Sequence, residues 1–532
     1  MSIKYLFLAS AFILVGCAQQ MTPQGGPKDE TSPKIKKSEP LNYSTKFEGN
    51  GIKITYDEYV TISSIQSEYL LSPPMENELE FKLKGKSLLV TFPDSLKSNT
   101  TYLLNFGEGV KDYHEGNVLD SSVFVFSTGN YLDSNRIKGM VKNAFDLSEV
   151  EKVQVMLYES SEDSTPAKSR PYYYAKTKKD GSFDLNHLKD GDFQIFVLED
   201  KNSNSIYDLP NERIGFLDFP ISSSNPDSSV IIHLFQEDRE NQYVLKSNEE
   251  RYGKMVLAFN QPLKKLIINI LDSNFNKPWF QIDYSKTNDT VTLWNDLGKF
   301  GSQSLKLALS DNDSILDTIS IKLAQFPKEY QKIQPKLSSS ITSGMTKYFE
   351  PIRFKWSSPI VSFQENAITI VQGLDTIKPK YTQLSNMEFE VDYRLEEEKN
   401  YSFIINDSTF VDYLGLYNDS GKFDFKTKSS IQYANLNLTI KELNGSSFYM
   451  EFMTAEGKTI EKILFKDERI FKFKNVDPGK YKIKLTFDEN GNEKWDPGTF
   501  IPRKLPERVI YFSGEIEIKE GWDKELEWII PH

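Results

Sequence analysis

The strongest constraint on how this chain folds is that two different stretches of it occur twice, in the same order. A segment beginning at Ile52 (IKITYDEYV) returns at Ile352 (IRFKWSSPI), so that Ile52 answers Ile352 and Tyr56 answers Trp356. Downstream, Thr101-Tyr102, Asp112-Tyr113 and Phe124-Val125-Phe126-Ser127-Thr128 answer Asn400-Tyr401, Asp412-Tyr413 and Phe423-Asp424-Phe425-Lys426-Thr427. A second stretch follows each time: Gly191-Asp192-Phe193 with Asp200 returns as Gly479-Lys480-Tyr481 with Asp488, nine residues from Gly to Asp in both. The chain therefore reads as module A, module B, an unpaired segment, then A and B again. Self-similarity of this kind marks separately built units in tandem.

Within the modules hydrophobic residues alternate with polar ones. Ile52, Ile54 and Tyr56 share one face with Lys53 and Thr55 on the other; Leu79, Phe81 and Leu83 alternate with Glu80 and Lys82 before Lys84-Gly85-Lys86 turns into Leu88, Val90 and Phe92. A period of two is the mark of half-buried strands. The aromatic share of 13% suits a pleated surface. No convincing amphipathic helix interrupts the pattern, so the predicted fold class is all-β, a row of tandem β-sandwiches. The expected organisation is a leader at 1–17, a flexible tether at 18–38, A at 39–129, B at 130–238, the unpaired β segment at 239–335, then A at 336–429 and B at 430–532. At roughly 100–150 residues per domain, 532 residues accommodate that number of cores.

The leader has its own logic. Lys4 precedes an uncharged run from Tyr5 to Val15, too short to span a bilayer and of the length of a secretory h-region. It ends in Leu14-Val15-Gly16-Cys17, which resembles the lipobox of bacterial lipoproteins, and Cys17 is the chain's one cysteine. The resemblance implies cleavage before Cys17 and acylation of its sulfur. Each buried methylene contributes about 0.8 kcal/mol, so more than one acyl chain makes a firm anchor. Ala18 to Ser38 carries Gln, Pro, Gly and charge but little that could build a core, as befits a tether. Lys28-Asp29-Glu30 lies near the acylated end; in some lipoproteins of the Bacteroidota, acidic residues after the Cys direct export to the surface, and a solvated linker gives the same composition. Net charge is −12 with both signs interspersed, and no basic patch of the kind nucleic acid requires is present.

The A module resembles the bacterial Ig-like domain of S-layer and other envelope proteins. The residues that carry the likeness are Asn99-Thr100-Thr101-Tyr102, the Val110-Lys111-Asp112 turn, Gly116-Asn117 and the closing Phe126-Ser127-Thr128; the second copy lacks the Gly-Asn pair. The B module resembles transthyretin-like, or carboxypeptidase-regulatory-like, sandwiches through Lys179-Asp180-Gly181-Ser182-Phe183, Leu188 to Gly191 and the strand from Phe193 to Leu198. The second B copy keeps Val476-Asp477-Pro478-Gly479 and Tyr481 but not the Asp-Gly turn. Both resemblances speak of fold, not of activity.

Candidate chemistry is sparse. Asp200, Asn202, Asn204 and Asp208 stand at positions 1, 3, 5 and 9 of a loop, and Asp488, Asn490, Asn492 and Asp496 repeat the spacing. Oxygen side chains so placed suit Ca²⁺, the one cofactor the sequence raises, although the Gly at position 6 and the Glu at position 12 of an EF-hand are missing. An Asx-rich turn, with side chains bonding nearby backbone N–H groups, gives the same pattern. Four histidines at 114, 187, 233 and 532 have no metal-ligand spacing, and neither a nucleophile elbow nor a His-Glu-x-x-His motif occurs. Gly85-Lys86-Ser87 imitates a phosphate loop but reads as a hairpin turn. Arg170, Tyr172, Tyr173 and Tyr174 form the best candidate binding surface, since Tyr and Arg make good interface anchors. The expected protein is not an enzyme: it is a lipid-anchored outer-membrane scaffold or accessory subunit that contacts the membrane through its anchor and another outer-membrane or surface protein. A glycan-binding adhesin and a hydrolase with an inter-domain site are the alternatives. The face of the membrane stays open.

Overall fold

A computed structural model describes the chain from residue 29 onward, apart from 120–122, 226–228, 240, 272–279, 297–303, 313, 329–332, 342–343, 365, 446 and 532. Cys17 and the leader lie outside the described residues. The fold is all-β and built of tandem sandwiches. Its one described α-helix is the single turn Ile65–Glu68. Two compact units are resolved: one runs through Glu237 and takes in Pro497–Pro506, and the other comprises Asp238–Asp496 and Glu507 onward.

In the first unit, the A sandwich has seven principal strands: Ile35–Glu39, Gly51–Tyr56, Leu70–Ser72, Glu80–Lys84, Ser87–Thr91, Thr101–Asn105 and Val123–Ser127. The first, second, fifth and fourth form one sheet, and the third, sixth and seventh form the other. The alternation read from sequence decides which side chains meet between them: Ile52, Ile54, Leu88 and Val90 from one sheet, Tyr102, Leu104, Phe124 and Phe126 from the other. Tyr102 stacks on Phe126 with ring centroids 5.3 Å apart. Its hydroxyl accepts the Lys97 N–H at 2.8 Å, while Thr128 Oγ1 donates to the Lys97 carbonyl at 2.7 Å. This is a tyrosine corner in miniature: one ring fills the core and its polar tip ties the chain upstream.

The second unit repeats that arrangement. Tyr401 stacks on Phe425 at 5.5 Å, its hydroxyl accepts the Glu396 N–H at 2.9 Å, and Thr427 Oγ1 donates to the Glu396 carbonyl. Its seven principal strands, from Leu337–Ser339 to Gly421–Thr427, keep the same sheet order, with the short strands Met345–Thr346 and Asp375–Ile377 added at the two edges of the second sheet. The middle segment, read from sequence as an unpaired β domain, has the same sheet order. Its strands Val244–Arg251, Lys254–Phe259, Leu266–Ile270, Phe280–Tyr284, Thr290–Asn295, Ser304–Asp311 and Ser314–Lys322 again place the first, second, fifth and fourth in one sheet and the third, sixth and seventh in the other. Met255, Leu257, Leu293, Leu305 and Leu307 supply the core. The tyrosine and Asp signals of the A modules are missing from this segment, which is why only the topology reveals it.

Both B modules are sandwiches whose first strand lies parallel to a late one. Asn135–Asn143 pairs with Ser229–Gln236, and Ala434–Lys441 pairs with Asp523–Ile529. In the first copy the Asp180-Gly181 turn leads from Tyr173–Lys176 into Ser182–Leu188; Gly181 has φ +72°, and a Cβ there would stand 2.6 Å from the Val141 carbonyl oxygen. Pro497–Pro506 is fastened to the face of this sandwich. Phe500 is fully buried, edge-on to Phe196 and Tyr207 at 6.2 and 5.2 Å. Its N–H donates to Glu237 Oε1 at 2.7 Å, and the Tyr207 hydroxyl donates to Glu237 Oε2 at 2.6 Å. Phe500→Ala is expected to cost about 3–5 kcal/mol, the range for truncating a buried Phe; urea denaturation followed through the first unit measures it.

The Asp shared by the A copies holds a turn. Asp112 accepts four backbone N–H bonds, from His114, Glu115, Gly116 and Asn117, at 2.6–3.1 Å. Burial pushes its pKa up, but the four donors prevail and bring it from the ordinary 3.8 to about 2. Asp412 accepts from Leu414, Leu416 and the Ser358 hydroxyl. There burial wins and the pKa is raised. The signs of the two contributions are opposite. A lowered carboxyl pKa gives stability that is whole above about pH 4 and is lost as pH falls through about 2. A raised pKa gives a penalty that acid relieves. Asp112→Asn should therefore flatten the acid limb of the stability profile between about pH 4 and pH 2; an acid limb as steep as in the parent would place the titration elsewhere.

Candidate functional site

The Asp/Asn loops are organised around carboxylates rather than left open. Asp200 accepts N–H groups from Asn202, Asn204 and Ser205, and Gln154 Nε2 donates to it at 3.1 Å. The Nδ2 groups of Asn202 and Asn204 donate to Asp208 at 3.1 and 2.8 Å. Sequence spacing left the role of Glu212 unassigned. It is fully buried and accepts from the backbone N–H groups of Lys201, Asp208 and Leu209, each at 3.1 Å.

The second loop repeats the design. Asp488 accepts from Asn492 and Glu493, and Asn490 and Asn492 donate to Asp496. The counterpart of Glu212 is Glu507, which accepts from Glu489 at 3.0 Å and Asp496 at 3.1 Å. Burial raises its pKa against those two donors. Sequence reasoning missed this acid because Pro497–Pro506 stands between it and the loop, so the position expected to hold it carries Thr499 or Phe500. Looking past that insertion for the next acid would have found it.

The contacts seen are those of the Asx-turn reading. Among the described residues no group of three or more His, Cys, Asp and Glu is arranged to hold a metal ion. In both loops the Asn amides turn their N–H groups toward the final Asp, and the buried Glu is spent on backbone donors. Glu212→Ala strands three N–H groups and is expected to cost about 3 kcal/mol. Calorimetric scans with chelator and with millimolar calcium should give the same midpoint for the parent; a calcium-dependent rise that disappears in the variant would assign the loops to the cation.

Alternation divides the tyrosines. Tyr173 points into the B core, edge-on to Phe193 at 5.8 Å. Tyr172 precedes the strand and also packs against the B core, edge-on to Tyr173 at 4.8 Å, so alternation separates only Tyr174 from it; both Tyr172 and Tyr174 are half-buried. Tyr172 is already engaged: Lys189 and Lys97 Nζ lie 4.7 and 5.3 Å from its ring centroid. Tyr174 stands in a cleft of about 190 Å³ between the A and B sandwiches of the first unit. Burial pushes its hydroxyl pKa up against a hydrogen bond with the Leu71 backbone. Tyr69 and Asn77 line the A side, and Arg170, Lys176 and Asn204 the B side. Lys176 is paired with Glu68 at 3.1 Å; Lys152 and Arg170 have no ion-pair partner among the described residues. Lys152, Ser203 and Ser205 also line the cleft, and all three hold left-handed backbone, with φ of 60°, 60° and 58°. Asp200 and its turn thus form one wall of the cleft.

Residues 29–128 match the family model for the bacterial Ig-like domain. That span contains all seven strands of the first A sandwich. No curated protein matches the chain in sequence. Among solved structures, the S-layer protein rSbsC(31-844) is 11% identical over 92% of this chain and 68% of its own, with a TM-score of 0.15. BcpA, the major pilin subunit of Bacillus cereus, is 9% identical over 75% of this chain and 99% of its own, with a TM-score of 0.16. Titin domains A168-A170 are 9% identical over 47% of this chain and 92% of theirs, with a TM-score of 0.15. Likenesses this distant carry nothing about activity or partners. Among the described residues no helix is long and apolar enough to cross a membrane.

Proposed function

We propose that the chain is a non-catalytic scaffold or binding component of the outer-membrane envelope, anchored through acylated Cys17 and serving as an accessory subunit beside another outer-membrane or surface protein. In this reading residues 18–34 are the tether, shorter than the 18–38 read from sequence because the strand Ile35–Glu39 pairs into the first sandwich, and the sandwiches follow as 35–129, 130–238, 239–335, 336–429 and 430–532. The observation that carries it is what the repeated polar residues do. Tyr102 and Tyr401, Thr128 and Thr427, Asp112 and Asp412, Glu212 and Glu507 each tie down backbone in both copies. Residues kept through a duplication are here kept for folding. The bacterial Ig-like match agrees with a building-block role.

Cys17→Ser should shift the protein from the membrane pellet to the soluble fraction after cell lysis, with its thermal midpoint unchanged. Affinity purification of the acylated form from mildly solubilised membranes should recover one defined membrane or surface protein in stoichiometric amount. A serine variant that still sediments fully with membranes would sink the anchor, and a parent that purifies alone would sink the accessory role.

A further inference from the structure

The two A sandwiches present the same end, built alike, and one copy shows what that end can hold. Val60–Thr61 pairs with Lys111–Asp112 in the first, and Ile360–Phe363 pairs with Phe410–Asp412 in the second. The tyrosine after the shared Asp donates its N–H across this ladder each time, Tyr113 to the Tyr59 carbonyl and Tyr413 to the Pro359 carbonyl, both at 3.0 Å. In the second copy this end is packed against the middle sandwich of the same unit. Leu414 is buried with Tyr252 and Ile333, and the Tyr413 ring centroid lies 5.6 Å from that of Trp294. The Tyr413 hydroxyl donates to the Gly253 carbonyl at 2.8 Å. Arg251, in the same hairpin turn, lies over the Trp294 ring and donates to the Ser357 carbonyl at 3.0 Å. Gly253 has φ +71°, and a Cβ there would stand 2.4 Å from the Tyr413 hydroxyl, so only glycine allows this approach.

In the first copy the same end is open among the described residues. Tyr113 and Tyr59 are 67% and 57% exposed, and residues 113–116 are exposed throughout. Residues 29–34 reach this end, held by Asn117 Nδ2 on the Asp29 carbonyl and by the Lys34 N–H on Asp57 Oδ1, and leave both rings uncovered. The Tyr113 hydroxyl, whose counterpart serves a hairpin carbonyl, has no hydrogen-bond partner among the described residues. Three exchanges change the chemistry. Asp57 stands where Ser357 receives Arg251, Tyr59 replaces Pro359, and His114 replaces Leu414. Glu58 lies beside them: burial raises its carboxyl pKa, and Asp112, Asp57, Asp29 and Glu115 raise it further. The end that meets a neutral carbonyl environment in the second copy is acidic and aromatic in the first.

We propose that this end of the first A sandwich docks a β-hairpin turn of a partner protein, a turn with glycine at its tip and an arginine beside it. The turn carbonyl accepts from the Tyr113 hydroxyl, as the Gly253 carbonyl does from Tyr413, and the guanidinium is held by Asp57 and Glu58. Tyrosines are favoured anchors at such surfaces, and a guanidinium fork matches a carboxylate. The acids select a basic turn and steer its approach. Asp57 Oδ1 is taken by the Lys34 N–H, but a carboxylate has about four acceptor positions, so it can receive the arginine as well. The inference deepens the accessory-subunit reading and rests on it for the existence of a partner.

The test places the photo-crosslinker p-benzoylphenylalanine at position 113 of the full chain in the cells that make it, with positions 413, 131 and 374 as references. Position 413 should join the chain to its own residues 251–254, which checks the chemistry on the joint already seen. Position 113 should join it to one other protein, and mass spectrometry should map the captured peptide to a hairpin turn that contains arginine and glycine. Glu58→Lys and Tyr59→Ala should each lower that yield at least tenfold with the thermal midpoint in place. Capture of lipid alone, of residues 18–28, of a second copy, or of a segment without such a turn would each overturn the proposal, as would a yield indifferent to Glu58→Lys. A protein captured from position 131 or 374 but not from 113 would overturn this surface and leave the accessory reading standing. A protein captured from none of the three would sink both.

Discussion

Buried carboxylates that accept backbone N–H groups hold this protein's turns. Strands of two to nine residues need frequent reversals, and every N–H that a reversal takes out of the sheet must find an acceptor. With one cysteine in the sequence, no disulfide within the chain can stitch these loops. A carboxylate has room for about four donors, and its charge makes each bond roughly twice as strong as a neutral one. Asp112 fills that capacity. Glu212 takes three donors from both ends of its loop, joining Lys201 to Leu209 across a stretch with no regular strand. The arrangement has a weakness, since each acid is buried and is tolerable only while its donors stay in place.

Much of this was legible in the sequence, and the reason is chemical. Tyr102 and Tyr401 must be tyrosine because one side chain serves core and hydrogen bond together; Asp112 and Asp412 must offer a short acceptor at a turn. Such residues stay recognisable through a duplication. The middle sandwich was not legible as a third copy because its strand order is set by alternation of interchangeable apolar residues such as Leu257, Leu293 and Leu307, which leaves no fixed letter to match. Glu507 escaped because an insertion displaced it along the chain but not in space. The cleft escaped for a further reason: its walls come from around Tyr69, Lys152, Arg170 and Asn204, and only the packing of two sandwiches brings those segments together.

The B copies have kept their loops and diverged on their faces. Where the first packs Met156 beside Phe196, the same register in the second holds Glu451 and Lys484, 3.5 Å apart with Lys484 almost wholly buried. An apolar pair welcomes apolar cover, and Phe196 has it in Phe500, with the Arg503 guanidinium 4.7 Å from its ring centroid. A buried ion pair is costly to desolvate and depends on both partners staying matched. The two sandwiches share a backbone design and present different chemistry on it.

Parallel pairing of the first B strand with a late one has a mechanical consequence. Lys138 to Asn143 runs alongside Ser229 to Leu234 in the same direction, so the chain enters this ladder at one end and leaves it at the other. Tension along the polypeptide would then load the ladder's hydrogen bonds together, in shear, instead of peeling them apart one by one. Asn435 to Lys441 beside Asp523 to Ile529 repeats the device. Each B module thus resists tension between its own two ends through a single ladder.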